Sequence, residues 1–236
     1  IVNPTPLLTS LTPLVQCSGS TFTFKPLSSI DPGSRFTWQR NAVYGISNIA
    51  ANGTYDPAVV GSAISPSEIL VDTLTIAVNV PYTFTVINSG TECASTQVVT
   101  MVVNPIPVVN RITTTICSNS TFSAIPTKVP VGTVYTWPTP LNVTTGAVVG
   151  GISGTSQTSI GQLLTNSTAF PAILIYTVTP WSANGCAGIP FLVEVTVNPK
   201  PAAIASYTAP AICSGNPFVY APPVIQTGTT YSWSTT

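Results

Sequence analysis

Histidine is absent from this 236-residue chain, methionine occurs once, and charged side chains make up only 5% of it. Without histidine, no Ser-His-Asp or Cys-His nucleophile can be assembled inside the chain. Zinc loses its usual nitrogen ligand as well, and no C-x-x-C pair replaces it. Six basic residues (Lys25, Arg35, Arg40, Arg111, Lys128, Lys200) balance six acids, so the net charge is zero and no basic stripe exists to neutralise phosphates. Nucleic acid is excluded as a partner on that ground. The acids are Asp31, Asp56, Glu68, Asp72, Glu92 and Glu194. They form no D-x-D run for calcium and no recurring pair for glycoside cleavage. Glu68 and Asp72 are close in sequence, and a solvated loop or edge strand accounts for them more simply than an active site. No phosphate-cradling glycine loop precedes a helix, since Gly150, Gly151 and Gly154 sit among Ser and Thr. The chain is therefore read as a non-enzyme with no cofactor. Long apolar runs are also missing. Val129 to Val193 carries no charge, yet Ser, Thr, Asn and Gln interrupt it every few residues, and no run reaches the ~18 residues of a spanning helix.

What the chain does have is a repeat. The pentapeptide V-N-P-x-P occurs at Val2–Pro6, Val103–Pro107 and Val197–Pro201. Each copy is followed by a Cys-Ser pair (Cys17, Cys117, Cys213) and then by an aromatic-x-Trp triplet ending at Trp38, Trp137 and Trp233. A period this long exceeds that of short solenoid repeats and implies small domains that each bury a core. The expected division is 1–104, 105–198, and a truncated opening of a third repeat over 199–236.

Strand signals fill the first two units. Alternating β-branched and aromatic residues mark Thr21–Phe24, Leu74–Val78, Tyr82–Ile87, Ile173–Val178 and Val193–Val197, each bounded by Gly, Pro, Asn or Ser. With 23 prolines and 16 glycines dispersed, no window suits a three-turn helix. The expected fold is all-β, a tandem of Ig-like β-sandwiches. In each unit Tyr82–Met101 and its twin Tyr176–Val197 read as a hairpin that places Cys93 and Cys186 at the start of the last strand. Trp38 and Trp137 are expected in the cores.

Five cysteines are an odd number, and the repeat accounts for it. The expected pairs are Cys17 with Cys93 and Cys117 with Cys186, with the partner of Cys213 lying beyond Thr236. Bridges closing loops of that size would each constrain the unfolded chain by about 4 kcal/mol. They imply an oxidising compartment.

The succession C-S-x-x-x-F, G-T-x-Y-x-W, L-x-N-x-T (Leu164–Thr168), Y-T-V-T-P (Tyr176–Pro180), N-G-C-x-G (Asn184–Gly188) and V-T-V-N-P-x-P (Val195–Pro201) resembles the PKD-like, Ig-like repeats of very large Bacteroidota surface adhesins. These include gliding-motility adhesins exported by type IX secretion. The first unit departs from the pattern, with Val71–Leu74 in the L-x-N-x-T region and Glu92 before its cysteine. The resemblance implies a non-catalytic stalk in an extracellular or outer-membrane-associated protein. Its partners would be neighbouring repeats of the same chain, like chains in a filament, or a surface glycan.

Three surface features remain. Asp72-Thr73-Leu74 resembles the O-glycan acceptor of Bacteroidota, making Thr73 a candidate attachment site. Asn52, Asn119, Asn142 and Asn166 begin N-glycan sequons, relevant only in a eukaryotic source. Trp181, expected in the hairpin turn, is a candidate surface contact. The stiff Asn-Pro-x-Pro junctions favour a semi-rigid rod, and the scarcity of Lys and Glu leaves sheet edges unguarded against lateral pairing. The competing reading is an accessory or carbohydrate-binding module of a secreted hydrolase. A barrel segment would explain the apolar content but neither the cysteines nor the repeated proline breaks.

Overall fold

Period-two alternation gives each long strand one buried face, and the burial strings show it directly: β6 alternates buried and open positions from Val78 through Val86. In the computed structural model residues 2–10, 14–201, 208, 210–222 and 228–234 are described. Sixteen strands and no helix occur among them. In the first half these are β1 (Leu14–Cys17), β2 (Thr21–Thr23), β3 (Ser34–Arg40), β4 (Ala51–Tyr55), β5 (Ser67–Ile69), β6 (Val78–Asn88) and β7 (Ala94–Asn104). In the second they are β8 (Ile112–Cys117), β9 (Ser120–Ala124), β10 (Val134–Trp137), β11 (Leu141–Asn142), β12 (Val148–Val149), β13 (Gly154–Gln157), β14 (Ile160–Asn166), β15 (Ala172–Trp181) and β16 (Phe191–Asn198).

Each half builds a sandwich. A five-stranded sheet, β1-β7-β6-β3-β4, faces the β2-β5 pair, and a larger sheet, β13-β10-β15-β16-β8 with β11 on β15, faces β12-β14-β9. One hydrophobic cluster gathers residues from Leu8 to Val103 and the other from Phe122 to Val197. The same trio of rings recurs at both centres. Phe22 meets Tyr82 edge-on at 5.5 Å with Trp38 at 5.7 Å from that tyrosine, and Phe122 lies 5.2 Å from Tyr176 with Trp137 at 6.2 Å. Both tryptophans are buried, as the sequence predicts. Each indole needs a glycine on the next strand: Trp38 pairs in register with Gly53 and Trp137 with Gly154. A Cβ at those glycines would come within 2.7 and 2.4 Å of the ring.

Three strand expectations change. Leu74–Val78 is not a strand up to Val78, because the Asp72 carboxylate accepts from the Leu74 amide at 2.8 Å and bends the chain there. Trp181 is the last residue of β15 and bridges Ala187 rather than sitting in the turn. Unforeseen were β1 and β8, which run parallel to β7 and β16 as edge strands. In the expected third repeat, residues 202–207, 209, 223–227 and 235–236 lie outside the described residues, and no strand follows β16 among the others.

Candidate functional site

The parallel edge strands decide where the cysteines go. β1 aligns Cys17 with Asn104 at the far end of β7, whereas Cys93 immediately precedes β7 at its near end. Eleven strand residues at ~3.3 Å each put about 35 Å between them. A disulfide tolerates a Cα separation of only about 7 Å. In the second sandwich Cys117 aligns with Asn198 and Cys186 lies before β16, so the same polarity holds. The expected pairs Cys17–Cys93 and Cys117–Cys186 are therefore not formed. Instead Cys17 is bonded to Cys186, with 5.6 Å between their Cα atoms, and Cys93, Cys117 and Cys213 are free. The bridge crosses from the end of the first sandwich to the hairpin of the second.

Around this bond the junction is packed. The Asn184 side-chain amide donates to the Asn104 carbonyl oxygen of its side chain at 2.9 Å, and Asn104 itself is buried. Ser18 N donates to Asn104 O at 2.8 Å, closing β1 onto β7 beside the bridge. Pro105 and Pro107 are buried, so the proline spacer lies against the sandwiches and not in solvent. Gly188 is packed so closely that a Cβ there would sit 2.0 Å from the Pro107 carbonyl oxygen. Its amide is tied to Pro180 O at 2.8 Å. The first sandwich repeats this contact: Ser95, two residues past Cys93 as Gly188 is past Cys186, donates its hydroxyl to Pro6 O in the preceding V-N-P-x-P copy.

The acids behave differently from the sequence reading. Glu68 is not solvated: both its oxygens accept from the Arg40 guanidinium, at 3.0 and 2.8 Å, and the Tyr82 hydroxyl donates to it. Arg40 is 1% exposed. Burial alone would raise the Glu68 carboxyl, but the Arg40 and Tyr82 hydrogen bonds outweigh it and hold it below the usual carboxylate range. Burial, reinforced by Glu68, drives the Tyr82 hydroxyl well above its ordinary value. In the second sandwich a neutral pair does the same work, Tyr176 donating to Gln162 Oε1 at 2.8 Å.

Asp72 and Asn166 are likewise counterparts. Each amide donates to the hydroxyl of the Ser after the first cysteine, Ser18 or Ser118, at 2.9 Å, and each side-chain Oδ1 accepts from the residue two positions on. Asn166 Nδ2 also donates to Phe170 O and Val197 O, both at 2.7 Å. This asparagine is a buried clamp, which removes its sequon as an attachment point. Asp72 Oδ2, in the same place, is buried with no partner, and burial raises the carboxyl despite the Leu74 amide. Thr73 is exposed with its hydroxyl donated to Gly45 O at 3.1 Å. Trp181 is 39% exposed. The remaining sequons split, Asn52 and Asn119 being exposed and Asn142 half-buried. Among the described residues no cluster of three potential metal ligands occurs, and no helix is long and apolar enough to cross a membrane.

Two stacked sandwiches of this topology define the class as tandem Ig-like. Residues 114–201 match the PKD-like domain family, so the chain carries a PKD/Ig-like domain. No curated protein matches the chain. Solved structures with similar folds include the SGBP-B of a Bacteroides ovatus mixed-linkage glucan utilization locus, in complex with a mixed-linkage heptasaccharide. It is 11% identical, covering 82% of this chain and 48% of that one, with a TM-score of 0.30. A three-Ig fragment of titin is 10% identical over 83% of this chain and 65% of that one (TM-score 0.36), and Dscam 12% over 85% and 47% (TM-score 0.34). The chain spans less than two thirds of the length of each.

Proposed function

We propose that this chain is a load-bearing stretch of the stalk of a bacterial surface adhesin or filament, of the kind exported by type IX secretion and used in adhesion or gliding. The observation that carries the reading is the covalent bond across the junction, Cys17–Cys186. A bridge inside one sandwich protects only that sandwich. A bridge between two of them fixes their relative placement and gives tension a route through β1 and β16 that leaves the strands between them enclosed. The buried prolines and the Gly188 contact support the same role, since they leave the spacer little freedom to bend. The bond also calls for an oxidising, extracytoplasmic setting. Its partners in this reading are neighbouring repeats, with no chemistry performed.

Affinity electrophoresis through gels containing mixed-linkage β-glucan, combined with solution scattering, tests it. A stalk migrates unretarded and scatters as a rod of fixed length that shortens or broadens in distribution on reduction. Retardation by the polysaccharide, relieved by Trp181→Ala, would replace the stalk with a carbohydrate-binding module.

A further inference from the structure

Cys93 and Cys117 are left as thiols, yet neither is an isolated cysteine, because each repeats one half of the bond already described. Cys117 stands in register with Asn198 as Cys17 does with Asn104, and Ser118 N donates to Asn198 O at 2.7 Å as Ser18 N does to Asn104 O at 2.8 Å. The V-N-P-x-P spacer follows in both cases. At the opposite pole Cys93 O accepts from Asn88 N at 2.9 Å, and Cys186 O accepts from Ser182 N at 2.9 Å, so the two hairpins close alike. The preceding spacer lies on both hairpins too, through Ser95 to Pro6 O in one and Gly188 against Pro107 O in the other. Exposure differs as it should if only one pair has met its partner: Cys186 is 1% exposed, Cys93 half-buried and Cys117 open.

We propose that Cys117 and Cys93 are disulfide sites for adjoining Ig-like units, Cys117 taking the hairpin cysteine of the unit docked beyond Asn198 and Cys93 the strand-end cysteine of the unit docked before Leu8. Cys213, in the Cys-Ser pair after the third spacer copy, is the equivalent of Cys17 and Cys117 in this scheme and would likewise take a hairpin cysteine. The proposal rests on the stalk reading and extends it from one junction to every junction. Its consequence is a pair of interleaved covalent routes. From Cys93 to Cys117 the chain runs through β7, the proline spacer and β8, all without a turn, so each route is close to full extension before any load is applied. Each bond forms by thiol–disulfide exchange with a small-molecule disulfide such as oxidised glutathione. Two cysteine thiols are oxidised, the glutathione disulfide is reduced, and two glutathione thiols carry away the two protons and two electrons.

The test is a three-unit chain in which a second copy of residues 105–198 follows Asn198 in place of residues 199–236, which recreates an Asn-Pro-x-Pro junction between Cys117 and a second Cys186 and leaves six cysteines. It is equilibrated in oxidised and reduced glutathione beside the original chain, its remaining thiols are capped with maleimide, and non-reducing peptide mapping follows. The original chain should retain three capped thiols, Cys93, Cys117 and Cys213. The tandem should show two bridges and two capped thiols, Cys93 and the terminal copy of Cys117. Cys117→Ser in its middle unit should remove the second bridge alone. Four capped thiols with Cys17–Cys186 intact would overturn the inference and leave the stalk reading standing. Loss of the bond at both junctions would overturn both, and a Cys93–Cys117 linkage would overturn the pole-to-pole pairing.

Discussion

Pulling the chain by its two ends gives the most direct measure of what the junction bond does. With Cys17 joined to Cys186, tension passes from the first strand across the sulfur bridge and out through β16, and everything between is enclosed in a loop that cannot be drawn out. The sequence separation is 169 residues, and at ~3.6 Å per extended residue the bond conceals about 600 Å of contour. In an optical trap or force microscope, the oxidised chain should therefore release no more than β1 and β16 and lack the long unfolding steps of both sandwiches. Adding dithiothreitol should restore about 600 Å of extension in two main events, one per hydrophobic cluster. Cys17→Ser should reproduce the reduced trace without reductant. Equal contour gains with and without reductant would refute the argument, because they would mean that the bond does not span the junction.

Four further outcomes follow from individual contacts. Asp72→Asn should stabilise the first sandwich by about 1–3 kcal/mol at pH 7, since Asn166 in the equivalent place uses its Nδ2 to satisfy two carbonyls and Asp72 Oδ2 satisfies none. Because burial raises the Asp72 carboxyl, its ionised form costs stability above the folded value. The gain should therefore fade as pH falls through the folded value and be gone below about 4, where the unfolded chain is protonated too; a loss of stability in calorimetry at pH 7 would contradict this. Glu68→Gln should lower the same transition by about 3 kcal/mol by leaving the 1%-exposed Arg40 without its counter-charge, and leave the Phe122–Val197 cluster unaffected. Glu68 is held below the ordinary range, so its stabilisation is complete above about pH 4.5 and is lost as pH falls through the folded value; the variant should lack that acid limb in a denaturation series. Gly188→Ala, whose Cβ would meet Pro107 O at 2.0 Å, should weaken the junction by roughly 1–3 kcal/mol, read as a rise of about 5- to 150-fold in reduced Cys17 in a glutathione buffer. Gly154→Ala should destabilise the second sandwich by about 1–3 kcal/mol and shift Trp137 fluorescence, since its Cβ would sit 2.4 Å from the indole.

The tandem repeat, the all-β class, most long strands and the buried tryptophans were legible in the sequence because they rest on local alternation and on punctuation by Pro, Gly and Asn. Tyr82–Ile87 and Val193–Val197 lie within β6 and β16, and Trp38 and Trp137 lie in the cores. The Leu74–Val78 error is of the same kind in reverse: apolar alternation suggested a strand, and one carboxylate-to-amide bond at Asp72 made a turn. Glu68 and Arg40, 28 residues apart, could not be seen as partners without knowing that β3 and β5 lie on facing sheets around Tyr82.

The cysteine pairing shows the boundary most sharply. Spacing alone says that each unit has two cysteines, and two per unit invites a bond within the unit. Which sulfurs meet depends on the edge strands β1 and β8 running parallel to β7 and β16, a non-local choice that carries the first cysteine of each unit to the pole away from its second. Local chemistry thus determined the modules and their hydrophobic faces, while the direction of one short edge strand, fixed by contacts some ninety residues distant in the chain, decided that the covalent bond joins modules instead of closing one.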